Sequence, residues 1–184
     1  KKSNYNSLNK ILKLNGSPTW GYIDITNVCN HQCSWCYNAC GILPHSQKRF
    51  MTISEFNSIL NKLEEIGITQ ITITGGEPTL HKNLKDFIKL ATKKFDTHIA
   101  SNGDFIDSEL ALFFANNNVK QTQLNFQGSR FHNQIHNSPD SFNRLKQTIY
   151  NLQKANVDVV TMTTIGDYLI DYIQEIFSEA AKLG

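Results

Sequence analysis

The sequence predicts an α/β fold built on a parallel β-sheet. Three observations carry this reading. Short β-branched runs alternate with longer segments of helical period, the alternation occurs five times, and the chain is 184 residues long. Alternation of this kind marks βα units, whose parallel strands need a crossover helix. A closed eightfold barrel takes about 250 residues, so a partial barrel or an open parallel sheet is expected.

The elements follow in order. Leu8, Ile11 and Leu12 predict a short N-terminal helix that stops at Gly16-Ser17-Pro18. Strands are expected over residues 22–26, 70–74, 97–101, 121–126 and 158–164. After the first strand, Thr52 and Glu55 form a capping box, Phe56, Ile59, Leu60 and Leu63 share a face, and Gly67 ends the helix. After the second, Leu84, Phe87, Ile88 and Ala91 make one apolar stripe. Asp107 opens a shorter helix through Leu110, Phe113 and Phe114. Ser138-Pro139 starts the next, with Phe142, Leu145, Ile149 and Leu152 inward, and Asp167 starts the last, with Leu169, Ile173, Ile176, Phe177 and Ala180 inward.

Composition narrows the function. The chain is 40% hydrophobic, which excludes disordered and fibrous classes, and 18 Lys+Arg against 16 Asp+Glu leave a net charge of +2. A balance this even gives no electrostatic footprint for nucleic acid or an anionic membrane. No apolar run approaches the roughly 18 residues of a membrane span, and Lys1-Lys2 leads into Asn- and Ser-rich sequence, so a cytoplasmic protein without a membrane partner is expected.

All four cysteines, Cys29, Cys33, Cys36 and Cys40, fall in the segment from Asn27 to Met51. That connection is far longer than the usual two to six residues of a βα loop, and long structured loops are commonly functional. It leaves the carboxyl end of the first strand, where α/β sites lie. Disulfide frameworks spread their cysteines and metal sites cluster them. Cys29-Asn30-His31-Gln32-Cys33-Ser34-Trp35-Cys36 has the spacing C-x3-C-x2-C, which lets three thiolates hold three irons of a cubane cluster and leave the fourth iron open. The alternative is a zinc knuckle from Cys33, Cys36, Cys40 and either His31 or His45. The second strand runs into Gly75-Gly76-Glu77-Pro78, where two missing Cβ atoms allow a sharp turn and close approach to a ligand.

The cysteine motif with an aromatic at Trp35, followed in order by Gly75-Gly76-Glu77, resembles the signature of the radical S-adenosylmethionine enzymes. The resemblance runs from about Gly21 to the end of the chain. It implies a 4Fe-4S cluster on Cys29, Cys33 and Cys36, with Cys40 a spare loop thiol, and S-adenosylmethionine chelated to the open iron. One electron from the cluster then cleaves the carbon–sulfur bond, and a 5′-deoxyadenosyl radical abstracts hydrogen from a substrate. By the same resemblance Trp35 lies near the adenine, and Gly75, Gly76 and Glu77 bind the methionine amino group. Ser101 and Asn102, Asn125 and Gln127 in place of an S-x-D-G segment, and Thr163 on the fifth strand are further ligand contacts. The segment from Phe131 to His136 is similar to the family's H-D-x-x-R, with Asn133 for Asp and His136 for Arg, which leaves Arg130 as the nearby guanidinium.

The implied architecture is a six-stranded partial TIM-like barrel, of which five βα units are visible and the sixth strand is missing. Residues 1–19 then form a helical extension and residues 20–184 the barrel, as the core of a longer polypeptide or a reduced version of the fold. The implied partners are a one-electron donor such as a flavodoxin or ferredoxin and a substrate peptide or small molecule. A glycyl-radical activating enzyme differs only in substrate, whereas an iron–sulfur electron-transfer protein has no use for the Gly75-Gly76-Glu77 turn.

Overall fold

The computed structural model describes residues 19–184, so the helix expected around Leu8, Ile11 and Leu12 lies outside the described residues. Five strands, β1 (Trp20–Asp24), β2 (Gln70–Thr74), β3 (Asp96–Ser101), β4 (Val119–Asn125) and β5 (Asp158–Met162), form one sheet in sequential order. Every neighbouring pair is parallel, so each connection must cross one face of the sheet. The crossovers are α1 (Ile53–Glu65), α2 (Leu84–Ala91), α3 (Ser108–Asn116) and the pair α4 (Gly128–Ile135) and α5 (Ser141–Lys154), and α6 (Ile173–Lys182) follows β5. This is the partial TIM-like barrel that the sequence predicts.

Local chemistry accounts for the elements. Thr52 accepts from the Glu55 amide, and Glu55 accepts from the Thr52 amide, which closes the capping box of α1. Asp107 caps α3 by accepting from the Leu110 amide. Leu84, Phe87, Ile88 and Ala91 of α2 are all buried, as their spacing predicts. They share one buried core with Ile71, Ile73, Ile99 and Leu124, the sheet residues that point to the helical side. Because strand side chains alternate, Tyr22, Thr74, Ala100, Gln123, Asn125 and Met162 point the other way, into the concave side.

Three departures have physical reasons. β1 ends at Asp24 because Ile25 and Thr26 turn to the chain returning from the cysteine loop: the Met51 amide donates to Ile25 O at 2.8 Å, and Thr26 pairs with Phe50 in an antiparallel bridge. That pairing pinches the long loop closed at its base. After β4 come two helices rather than one, since the histidine-bearing segment itself forms α4. The last expected helix is split into a 3-10 turn, Asp167–Tyr172, and α6, which rotates the stripe so that Phe177 is exposed while Leu169 and Ile176 are buried.

Candidate active site at the carboxyl ends of the strands

A cavity of about 350 Å³ opens above the carboxyl ends of the strands. Cys29, Cys33, Cys36 and Cys40 line it together with Trp35, Gly75, Gly76, Ser101, Asn102 and Asn125. Nine of the twelve expected site residues are thus brought to one chamber, with Tyr22, Tyr37, Gln123, Met162 and Thr164 completing its wall. A larger open groove of about 530 Å³ between the loop base and α1 carries none of these groups.

The glycine turn is a brace as well as a wall. The Gly76 amide donates to Thr26 O at 2.7 Å and the Glu77 amide to Val28 O at 2.8 Å, which ties the end of β2 to the start of the cysteine loop. A Cβ on Gly75, at φ 147°, would fall 2.2 Å from Thr26 O, and one on Gly76 would fall 2.3 Å from Val28 O. The two glycines are therefore required for the approach of one backbone to another.

Three expected residues stand off the cavity wall. Glu77 is fully buried, and its carboxylate accepts from the Thr79 amide (3.0 Å) and hydroxyl (2.5 Å), the Ser101 hydroxyl (2.8 Å) and the Asn102 amide (2.7 Å). Burial pushes its carboxyl above the usual range, against these donors. It ties the end of β2 to the end of β3 and aims Ser101 and Asn102. Gln127 is completely buried at the start of α4 and is not part of the wall. Thr163 donates its hydroxyl to Phe126 O at 2.8 Å, and Met162 and Thr164 line the cavity in its stead. The parity of β5 is opposite to the expected one. Arg130 also points elsewhere, with its guanidinium 4.6 Å from the Tyr172 ring centre.

The loop is held by groups that no short motif announces. The Asp104 carboxylate accepts from Asn30 Nδ2 (2.7 Å), His31 Nε2 (2.8 Å) and Arg144 Nη2 (3.0 Å), while Arg144 Nε lies 2.9 Å from its other oxygen. The His31 hydrogen bond and Arg144 hold Asp104 down to about 2 despite burial. Asn102 Nδ2 donates to Asn30 Oδ1 at 2.8 Å and lies 4.0 Å from Cys29 Sγ. On the other side His31, His132 and His136 are buried. Burial, reinforced by like charges, lowers His132 to about 4 and His136 to about 3, so both are neutral at physiological pH.

These shifts give a pH prediction with one sign. Asp104, His132 and His136 each release a proton more readily folded than unfolded, so stability is present above their unfolded values and is lost as pH falls. In the metal-free chain the histidines begin to lose it below about pH 6.5, and Asp104 below about pH 4. A loss of about 3 kcal/mol is expected between pH 7 and pH 4.5. Urea titrations at the two pH values check it, and equal midpoints would contradict it.

The donors fit an iron–sulfur cluster. Burial pushes Cys29 up to about 11 and Cys33 up to about 12, so these thiols carry protons until a metal displaces them. Among the described residues, ligand atoms within 4.8 Å of one another come from one trio, His31, Cys33 and His136. The thiols are spread more widely than a single ion requires, as suits ligands of separate irons. The zinc set of Cys33, Cys36 and Cys40 with His31 or His45 does not assemble, and His45 is exposed in a 3-10 turn. Cys40 is buried at the start of another such turn. Cys40→Ala is expected to keep the full iron content at a cost of about 1 kcal/mol, as iron analysis and a thermal melt would check.

Known proteins resemble this chain over much of its length. The sporulation killing factor maturation protein SkfB of Bacillus subtilis (strain 168) is 29% identical over 165 residues, which is 88% of this chain and 39% of that protein. PqqA peptide cyclase of Bradyrhizobium diazoefficiens is 32% identical over 61% of this chain and 30% of its own length. The chain thus spans well under half the length of these curated relatives. Among solved structures, Streptococcus suis SuiB bound to precursor peptide SuiA superposes with a TM-score of 0.72 at 17% identity, covering 98% of this chain and 40% of that one. The family profile of the Radical SAM superfamily matches residues 23–180. With nearly the whole described chain inside that match, the protein belongs to the radical SAM superfamily, whose cofactors are a 4Fe-4S cluster and S-adenosylmethionine.

Proposed function

We propose that this chain is the catalytic core of a peptide-modifying radical S-adenosylmethionine enzyme. The observation that carries the reading is the convergence of the three C-x3-C-x2-C thiols, the glycine turn and the polar ends of β3 and β4 on one cavity. When bound, the cluster and S-adenosylmethionine supply reductive carbon–sulfur cleavage and the radical that abstracts hydrogen from the substrate.

The residues divide that work. Cys29, Cys33 and Cys36 would hold the cluster through three irons, which leaves one iron for S-adenosylmethionine. Trp35 would wall the nucleoside side, and Gly75, Gly76, Ser101, Asn102 and Asn125, which line the same cavity, would face the methionine part. Glu77, saturated by its four donors, keeps Ser101 and Asn102 in register. Tyr22, Tyr37 and Met162 line the cavity and are exposed to solvent, so substrate would enter past them. A one-electron donor of the flavodoxin or ferredoxin class supplies the electron, and the cytoplasm suits an oxygen-sensitive cluster. Among the described residues no helix is long and apolar enough to cross a membrane.

A peptide substrate is favoured because a sporulation killing factor maturation protein and a peptide cyclase are among the relatives, and a fold neighbour is seen with a precursor peptide. The test supplies the reconstituted chain with reductant, S-adenosylmethionine and short peptides encoded beside its gene. A peptide changed in mass by lost hydrogen atoms is expected. Turnover of nucleosides or small molecules alone would overturn the substrate class.

A further inference from the structure

We infer that His136 and the carboxyl end of α4 are a clamp on Cys33 that sets the reduction potential of the cluster, an inference that rests on the cluster reading above. His136 is completely buried, and its Nδ1 lies 3.1 Å from Cys33 Sγ. A coordinated thiolate has no proton to give, so Nδ1 must donate. Among the described residues Nε2 has no partner, so nothing competes for the tautomer that places the proton on Nδ1.

The backbone around this contact is gripped from the same helix end. The Gln32 amide donates to His136 O at 3.1 Å and the Ser34 amide to Ile135 O at 3.0 Å. Helix carboxyl ends leave carbonyls without intrahelical partners, and here two of them accept from the residues on either side of Cys33. The imidazole is walled by Trp35, His31 and His132, with ring centres 5.5, 5.3 and 4.3 Å away. Sulfur, main chain and ring are thus fixed together.

The consequence is electronic as well as mechanical. A cluster gains negative charge on reduction, and part of it resides on the cysteine sulfurs. A donor aimed at Cys33 Sγ stabilises the reduced state more than the oxidised one and raises the potential. His136 is therefore a positioning residue that acts through Cys33.

The test compares the full chain, His136→Leu and His136→Asn after anaerobic reconstitution, reading iron and sulfide content and the midpoint potential by EPR-monitored titration. Equal loading is expected in all three. His136→Leu should weaken the relative affinity for the electron about tenfold, a potential lower by about 59 mV, and His136→Asn should restore it, because the amide nitrogen can stand where Nδ1 does. Full loading with an unchanged potential in His136→Leu would overturn the clamp while leaving the cluster reading intact. A wild-type chain that takes up no iron and sulfide would overturn both. Should His136→Leu fail to fold, wild type carrying ¹⁵N-histidine decides: hyperfine coupling between the reduced cluster and an imidazole nitrogen supports the clamp, and its absence overturns it.

Discussion

Gly76→Ala is expected to cost the apoprotein about 3–5 kcal/mol and to remove most of its capacity to take up a cluster. The added Cβ would stand 2.3 Å from Val28 O and 2.6 Å from Val28 C, which are backbone atoms with no rotamer to relieve the clash. Relief requires the end of β2 and the start of the cysteine loop to separate, which breaks the bonds from the Gly76 amide to Thr26 O and from the Glu77 amide to Val28 O. The loop would then lose its register against the Ser101 and Asn102 wall. Thermal unfolding and iron content check the two effects, and a variant with both unchanged would contradict the brace.

Glu77→Gln tests a different strut. The carboxylate accepts two backbone amides and two hydroxyls, and a carboxamide offers one acceptor oxygen and a donor that must face another donor. One buried amide, of Thr79 or Asn102, is left without a partner, at a cost of about 2–4 kcal/mol. At this chain length that lowers the melting temperature by roughly 5–12 °C. The decisive feature is that the loss should appear in the absence of S-adenosylmethionine. A Gln variant as stable as wild type, with only ligand affinity reduced, would return Glu77 to direct ligand contact.

How much of this was legible in the sequence varied with the distance over which each interaction acts. The capping box of α1 and the stripe of α2 are local, and both formed as their spacing predicts. The cysteine loop was recognisable because all four cysteines fall in it, and the glycine turn because two adjacent glycines and a glutamate follow directly on a strand. The brace between them was not legible, since nothing local says that Gly76 meets Val28. The Asp104 bracket was missed for the same reason: its partners His31 and Arg144 lie 73 and 40 residues away. Glu77 was assigned outward because a carboxylate after two glycines reads as a ligand, and only the fold reveals the four donors behind it. At Thr163 the error was one of parity, because a one-residue shift at the end of β5 exchanges the faces. The i, i+4 spacing of His132 and His136 pointed to a shared helical face and to hydrogen bonding, but nothing local named Cys33, 103 residues away, as the partner of His136.

The central claim is that Cys29, Cys33 and Cys36 hold a 4Fe-4S cluster that acts on S-adenosylmethionine beside the glycine turn. The most direct measurement is 5′-deoxyadenosine formation by the anaerobically reconstituted full chain with dithionite and S-adenosylmethionine, read together with metal content and with a Cys33→Ala variant alongside. About four irons and four sulfides per chain are expected, with 5′-deoxyadenosine from wild type and none from the variant. A colourless chain that binds zinc, or a cluster-loaded chain that leaves S-adenosylmethionine intact, would contradict it.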